Sequence, residues 1–223
     1  GPRLGRFTKS GAPAPLKPFA ASSIPLVTVG VFILWLGWFG FNGGSELKVS
    51  EVSSATAVSQ VFLNTNLAAA GGVLAAMFMS LAVTGKMDVT MAINGAIAGL
   101  VSITADPLSP SAGTAVIVGA IGGAIVYASI VFLEKAGIDD PVGAISAHGT
   151  VGIWGVLVVS LTGGASFGGQ LIGVLMIAGF TYLASLGTIL AINKVMPIRA
   201  SDAEQEAGLD ISEVGIEAYP EFK

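Results

Sequence analysis

The sequence predicts an all-helical polytopic membrane protein, and three observations support that prediction. Of the 223 residues, 53% are hydrophobic and only 11% are charged, against about a quarter charged in an ordinary soluble domain. The mean hydropathy is +0.82. Six apolar stretches carry little or no charge. A soluble domain of this length needs more charge than this for its surface, so the bilayer is the expected solvent.

The six stretches define the predicted helices in order. A helix needs about 20 mainly apolar residues to cross a hydrocarbon core about 30 Å thick. The third stretch is short and ends at Asp106 and Pro107, a natural stop for a helix. Runs this long are too long for barrel strands, so a six-helix domain is predicted at 24–195. Its spans are 24–44, 57–83, 89–105, 112–133, 141–163 and 168–193.

The two flanks are predicted to be cytoplasmic. Residues 1–23 are basic and rich in proline, which predicts a solvated loop rather than a signal peptide. Residues 196–223 form an acidic tail that should be solvated. With six spans, nine of the ten positive residues fall on one side and only Lys48 on the other, which predicts that both termini are cytoplasmic. The chain is expected in the plasma or inner membrane, and because its first residue is glycine it is expected to be processed or cut from something longer.

Glycines recur within the spans at helix-packing distances. Glycine lets helix backbones approach closely in lipid, where apolar contact alone gives no driving force. Tight packing is a sufficient explanation, so no chemistry is assigned to these residues. They are Gly95 with Gly99, Gly119 with Gly123, and the row Gly149, Gly152 and Gly155.

His148 is the only histidine, and it lies about 10 Å inside its span at 1.5 Å per residue. Ionisable groups at such depth are functional candidates by default; the alternative is a neutral imidazole bonded to a backbone carbonyl. No second histidine or cysteine is available for a metal, and no nucleophile, base and orienting acid assemble in the spans. An enzyme, a metal, a cofactor and a nucleic-acid partner are therefore not expected.

Several motifs resemble those of ammonium transporters of the Amt/Mep/Rh superfamily, in the family's order along nearly the whole chain. The segment 37–45 resembles the family signature, and 1–7 resembles the cytoplasmic loop after its fifth helix. The segments concerned are GPRLGRF at 1–7, GWFGFNGGS at 37–45, DDP at 139–141, AHGTVGIWG at 147–155, GLD at 208–210 and AY at 218–219.

The resemblance implies an eleven-helix protomer that assembles as a homotrimer, with one ammonium pore per protomer between two inverted halves. This chain then supplies helices six to eleven, and the N-terminal half is a separate chain or a removed segment. The expected partners are ammonium or ammonia, membrane lipid and a PII-type regulator at the tail. Residues that depart from the family pattern are Gly143, Ile145, Ser146, Ala147, Val214 and Ile216.

Four residues carry functional roles over from the family. His148 matches the second of two paired pore histidines, which implies a role in the pore and in proton relay, and Phe41 matches the second ring of the outer gate. Ser45 matches the hydroxyl that helps recruit ammonium, and Trp38 matches a tryptophan near the outer pore. The alternatives are that Phe41 and Trp38 are interfacial anchors and that Ser45 only ends its helix.

Two other functions remain open at this point. One is an ammonium sensor or receptor with little conduction. The other is a non-conducting structural subunit of a membrane complex. Retention of Phe41, Ser45 and His148 together favours transport, because helix packing alone does not require all three.

Overall fold

The computed structural model describes residues 1–7 and 21–220, and in these ranges the regular structure is helical. A π-helical turn, Ile145–Thr150, leads directly into α5, and a second one, Asp210–Val214, lies in the tail. The α-helices are α1 (Ile24–Gly44), α2 (Val52–Thr84), α3 (Val89–Ile103), α4 (Ala112–Lys135), α5 (Val151–Thr162), α6 (Phe167–Val195) and α7 (Asp202–Ala207).

The predicted all-helical membrane fold is confirmed. Within residues 1–7 and 21–220, five helices are long and apolar enough to span a bilayer when the π-helical turn and α5 are counted as one. Helix α3 has 15 residues, about 22 Å at 1.5 Å per residue, so it is shorter than the hydrocarbon core. Helix α2 begins five residues before its predicted start at 57. Residues 8–20 of the predicted cytoplasmic loop and 221–223 of the tail lie outside the described residues.

Local sequence signals set several helix ends. The side chain of Ser23 accepts a hydrogen bond from the amide of Leu26 at the start of α1, which satisfies one of the free N–H groups there. Asp88 caps α3 in the same way, accepting from the amide of Thr90 at 2.7 Å. Helix α2 ends at Gly85, whose φ of 74° is the left-handed conformation that favours glycine at a helix C-terminus.

Helix α2 packs closely against both α3 and α4 along Ala68 and Gly72. A Cβ added to any of four facing glycines would overlap the α2 backbone at one of these two residues. Only glycine permits this approach, as expected where helices associate in lipid. The four glycines are Gly95 and Gly99 on α3, and Gly119 and Gly123 on α4.

The three glycines of the His148 span, Gly149, Gly152 and Gly155, differ in how closely a neighbouring backbone approaches them. A Cβ added to Gly155 would lie 2.9 Å from the carbonyl oxygen of Val101 on α3. The nearest atom to an added Cβ at Gly149 or Gly152 is a side-chain methyl at 3.9 Å. Close backbone packing was expected for the whole row, but it holds only at Gly155, because the atoms nearest to Gly149 and Gly152 belong to side chains and not to a backbone.

Two buried asparagines fix helices that flank the site. The side-chain amide of Asn64 on α2 donates to the carbonyl oxygens of Pro107 and Pro110 at 2.9 and 2.7 Å, which ties down the α3–α4 loop. The side-chain amide of Asn42 on α1 donates to the hydroxyl of Thr65 on α2 at 3.0 Å. Both asparagines are buried, so each hydrogen bond offsets a desolvation cost.

The chain divides into two compact units. The larger comprises 23–134 and 140–174 and contains α1 to α5. The smaller comprises 1–22, 135–139 and 175–223. Helix α6 begins in the larger unit and continues in the smaller one, and none of its residues is buried among the described residues of this chain.

The smaller unit is held together by polar contacts between distant segments. The Arg3 side chain makes two hydrogen bonds to the carboxylate of Asp139, at 2.9 and 2.8 Å. These hydrogen bonds hold the pKa of Asp139 below its ordinary value. The guanidinium of Arg199 donates to the carbonyl oxygens of Gly1 and Pro2, and the amide of Leu4 donates to the side chain of Gln205 on α7.

Candidate functional site

His148 lies in the π-helical turn at the start of its span. The carboxylate of Asp140 accepts hydrogen bonds from the amides of Ile145 and Ser146 at 3.1 and 3.0 Å, and from the Ser146 hydroxyl at 3.1 Å. Free amides at a helix start need acceptors, and a negative charge there also suits the helix dipole. Short π-helical segments are rare and occur often at functional sites.

Three aromatic rings lie in sequence along one side of the larger unit. The Trp38 and His148 ring centroids are 6.4 Å apart with the planes 9° from parallel, within the range of offset stacking. The centroids of Trp38 and Phe41 are 5.9 Å apart with the planes tilted by 60°. Trp38 therefore lies between the predicted gate ring and the histidine.

These rings line an open cavity of about 430 Å³. Most of its wall is aliphatic, aromatic or glycine. The polar side-chain groups on the wall are the Thr104 hydroxyl, the indole N–H of Trp38 and the imidazole. The lining residues are Trp38, Phe41, Val101, Thr104, Ala105, His148, Gly152, Gly155 and Val156.

Two of the three polar groups on this wall bind each other. The indole N–H of Trp38 donates to the Thr104 hydroxyl at 2.8 Å, and that hydroxyl donates to the carbonyl oxygen of Leu100 at 2.7 Å. The part of the chain that the structure describes offers His148 no hydrogen-bond partner, and its side chain is exposed. The expected alternative, an imidazole satisfied by a backbone carbonyl, is thus not what these residues form.

Ser45 lies apart from the other predicted site residues. It is the C-terminal cap of α1, and its hydroxyl donates to the carbonyl oxygen of Phe41 at 2.8 Å. It is not among the residues that line the cavity. The structure therefore brings Trp38, Phe41 and His148 together and leaves Ser45 at the helix end.

Sequence reasoning did not identify the contribution of α3 to this site. Val101, Thr104 and Ala105 line the cavity, and none belongs to a motif. Thr104 follows α3 directly as its C-terminal cap, just before the predicted helix stop at Asp106. Its place at the end of a predicted span was the one sequence signal for Thr104. That signal was insufficient, because the contact with Trp38 joins residues 66 positions apart and depends on how α1 and α3 pack.

Two residues near His148 that depart from the family pattern, Gly143 and Ser146, take part in specific local contacts. Gly143 has φ of 74°, and a Cβ there would lie 2.6 Å from the side-chain oxygen of Asn94. A larger residue would meet both backbone strain and this contact. Ser146 is fully buried, and its hydroxyl is bound by Asp140. Gly143 and Ser146 are therefore both integrated into the start of the His148 span.

A resident metal is not indicated by the residues present. Within 1–7 and 21–220, no group of three or more histidine, cysteine, aspartate or glutamate side chains is placed to hold an ion. Tetrahedral and octahedral protein sites depend on such groups.

The comparisons with known proteins agree on one family. The model of the Ammonium Transporter Family matches residues 1–219. Ammonium transporter Amt2 of Archaeoglobus fulgidus is 38% identical over 243 aligned residues, which cover 100% of this chain and 50% of the relative. Ammonium transporter Amt2 of Methanocaldococcus jannaschii is 37% identical, with 99% and 51% covered. The chain spans about half the length of the relatives it matches.

Solved structures give the same result. A structure described as a sensor Amt protein superimposes with a TM-score of 0.86 at 32% identity, covering 96% of this chain and 54% of the other. Mep2 of Candida albicans superimposes with a TM-score of 0.75 at 28% identity, covering 90% and 49%. The relatives are named as transport proteins rather than enzymes. By the match along nearly its entire length, the chain belongs to the ammonium transporter family.

Proposed function

We propose that this chain forms the C-terminal half of a pathway for ammonium or ammonia, with His148 lining a hydrophobic pore. The observation that carries the proposal is the imidazole itself. It is exposed in an otherwise apolar cavity, and the other polar side-chain groups of that wall are bonded to each other. A polar group in such surroundings is available to a substrate that can exchange hydrogen bonds or protons with it.

The arrangement supports passage of a neutral amine. The faces of Phe41 and Trp38 attract a cation through the ring quadrupole. A bare cation in an apolar lumen is strongly disfavoured, so ammonium gives up its proton or transfers it separately. A neutral imidazole can accept a proton at one ring nitrogen and donate one from the other, and His148 serves as that relay in this proposal. Ser45, at the end of α1, is proposed to assist recruitment beyond Phe41.

The cavity needs a second wall. Phe41 and His148 are exposed within this chain, and the relatives are about twice as long. We therefore propose that an N-terminal half, as a separate chain or a preceding segment, covers these residues. A homotrimer, cytoplasmic termini and a PII-type regulator at the tail complete the proposal. Val214 and Ile216, the departures in the tail, are exposed and are the positions where regulator contact would differ.

An ammonium sensor is the second candidate, because the structure described as a sensor Amt protein superimposes with a TM-score of 0.86. A sensor would bind ammonium at the same rings without a matching flux. A non-conducting structural subunit is less favoured, because it offers no reason for Trp38, Phe41 and His148 to converge on one cavity.

The test uses the complete protein, with both halves present, in proteoliposomes. Ammonium pulses should give uptake or current, and both His148→Ala and Phe41→Ala should change its rate or selectivity. Phe180→Ala is the matched control, because Phe180 lies on α6 and is 75% exposed. If both site variants behave like the parent, the pore assignment is wrong; ammonium binding without flux would favour the sensor.

The native mass in mild detergent tests the need for a second half. A mass that requires a second polypeptide of similar size for each copy of this chain supports a split pore. A mass explained by this chain alone contradicts a pore of the proposed kind and leaves a structural role.

A further inference from the structure

Thr104 lies at the end of α3, on the wall of the cavity that also contains Trp38 of α1 and His148 at the start of the fifth span. Its hydroxyl is bonded to Trp38 on α1, and Trp38 lies parallel to His148 at the start of the fifth span. We propose that Thr104 is a positioning residue of the pore, which holds the Trp38 indole and thereby sets the ring plane beside His148. This inference rests on the proposed function.

The chemistry of the donors determines the direction of both hydrogen bonds. An indole N–H can only donate, so the Thr104 hydroxyl must accept from Trp38. The hydroxyl has one proton, and the carbonyl oxygen of Leu100 can only accept it. The chain of contacts therefore runs from Trp38 through Thr104 to Leu100 on α3, at 2.8 and 2.7 Å. A side chain without a hydroxyl at 104 cannot replace this link.

The backbone at Thr104 is itself well held. Thr104 caps α3, and its amide donates to the carbonyl oxygen of Val101 at 3.2 Å. Its side chain thus has little freedom to follow a moving indole. The torsion between Cβ and an aromatic ring has broad minima, so an indole in an open cavity is oriented mainly by its contacts. The bond to Thr104 selects one orientation for Trp38.

This orientation has two consequences for His148. The Trp38 ring lies nearly parallel to the imidazole with the centroids 6.4 Å apart, so the indole borders the space beside the imidazole through which a substrate approaches the two nitrogen atoms. Because the indole N–H is already bonded, it does not compete for substrate or water, and an unbonded N–H in an apolar cavity would itself be costly. His148 then remains the free polar side chain of this wall.

The experiment compares three threonine variants in the complete protein, with both halves present. Thr104→Val removes the acceptor and keeps the branched shape, whereas Thr104→Ser keeps the hydroxyl. Thr162→Val is the matched control, because among the described residues the Thr162 hydroxyl bonds only within α5, to the carbonyl oxygen of Val158. Two quantities are measured: ammonium flux in proteoliposomes, and the indole N–H resonance of Trp38, assigned by its loss in Trp38→Phe.

Thr104→Val should lower ammonium flux about three- to tenfold, the rate ratio that corresponds to one neutral hydrogen bond. It should also shift the Trp38 indole resonance and speed its exchange with solvent. Thr104→Ser and Thr162→Val should match the parent in both measurements. The proposal is overturned if Thr104→Val leaves the Trp38 resonance unmoved, if the resonance moves while flux stays at the parent level, or if Thr104→Ser loses flux equally.

Failure of the proposed function has a different signature. In that case His148→Ala and Phe41→Ala conduct like the parent, even though Thr104→Val still moves the Trp38 resonance. The flux of the histidine variant and the resonance of the threonine variant therefore separate the two hypotheses.

Discussion

Two glycine-rich regions of this chain look alike in sequence and differ in structure. At the contact of α2 with α3 and α4, a Cβ added to Gly99 or Gly119 would overlap the backbone of Ala68. On α1, a Cβ added to Gly37 or Gly40 would meet no atom of the described residues within 4 Å. Glycine is thus required for the close packing of α2 against both α3 and α4, whereas Gly37 and Gly40 on α1 have no such neighbour among the residues that the structure describes.

The difference shows what glycine spacing can and cannot indicate in a membrane protein. Small residues at helix-packing intervals identify a helix face that another helix can approach. They do not identify the approaching helix, or whether it belongs to the same chain. For α1, the open glycines agree with the proposal that another half of the protein covers this region.

The largest loss of stability is expected at the contact of α2 with α3 and α4. Gly99→Leu should prevent folding, and Gly99→Ala should destabilise by about 1–3 kcal/mol, because the backbone of α2 must move away. Thermal unfolding and monodisperse yield in detergent would measure this. Gly40→Ala is the control, since its added Cβ has open space. Equal losses in both variants would remove the distinction between the two regions.

The next largest loss of stability is expected at Asp140, which binds the start of the His148 span. Asp140→Ala removes the acceptor of three hydrogen bonds, whereas Ser146→Ala removes one. Leaving the part-buried Ser146 amide and the exposed Ile145 amide without their acceptor should cost about 1–3 kcal/mol in the first variant, and the second should cost about 1 kcal/mol. Unfolding of both variants in detergent measures which of them loses more stability. A larger loss for Ser146→Ala would contradict the role given to Asp140.

A smaller, pH-dependent effect is expected in the smaller unit. Hydrogen bonds from Arg3 lower the pKa of Asp139, so the carboxylate stabilises the fold at pH values above about 3.9, the pKa of an unfolded aspartate. That contribution, about 1 kcal/mol, is lost as the pH falls through the lower, folded pKa. The unfolding midpoints of the parent and Asp139→Asn should therefore converge below about pH 4. A constant difference down to about pH 2 would contradict this.

The smallest effect is expected on α1. Gly37→Ala should change the stability of this chain by less than about 0.5 kcal/mol, because no neighbouring atom is displaced. Association with the proposed N-terminal half, measured by co-purification, would sharpen the comparison. Loss of association with unchanged stability would mean that this glycine packs against the other half. A large loss of stability in this chain alone would contradict the structure.

Much of the fold was predictable because the signals are local. Charge content and the length of apolar runs determine the solvent and the number of helices, and caps such as Ser23 and Asp88 lie next to the ends that they define. His148 stood out because it is the only histidine. The α3 helix was also found, although its 15 residues make it shorter than the other spans.

The site was predictable only where motifs carry it. Phe41, Trp38 and His148 were named from sequence, and the structure places their rings along one cavity. Thr104 was missed because its hydrogen bond to Trp38 requires a particular rotation of α1 against α3 over 66 residues of chain. The separation of Ser45 from the cavity likewise depends on where the last turn of α1 directs the side chain.

The sequence by itself determined the membrane environment, the helical class, the order of the spans and the single histidine within the fifth span. These follow from composition and from periodicities within one helix. The tertiary structure alone decided which glycines meet a neighbouring backbone, that the His148 turn is π-helical, and that Thr104 holds Trp38. Those features depend on helix rotation and crossing, which are set by packing between residues far apart in the chain.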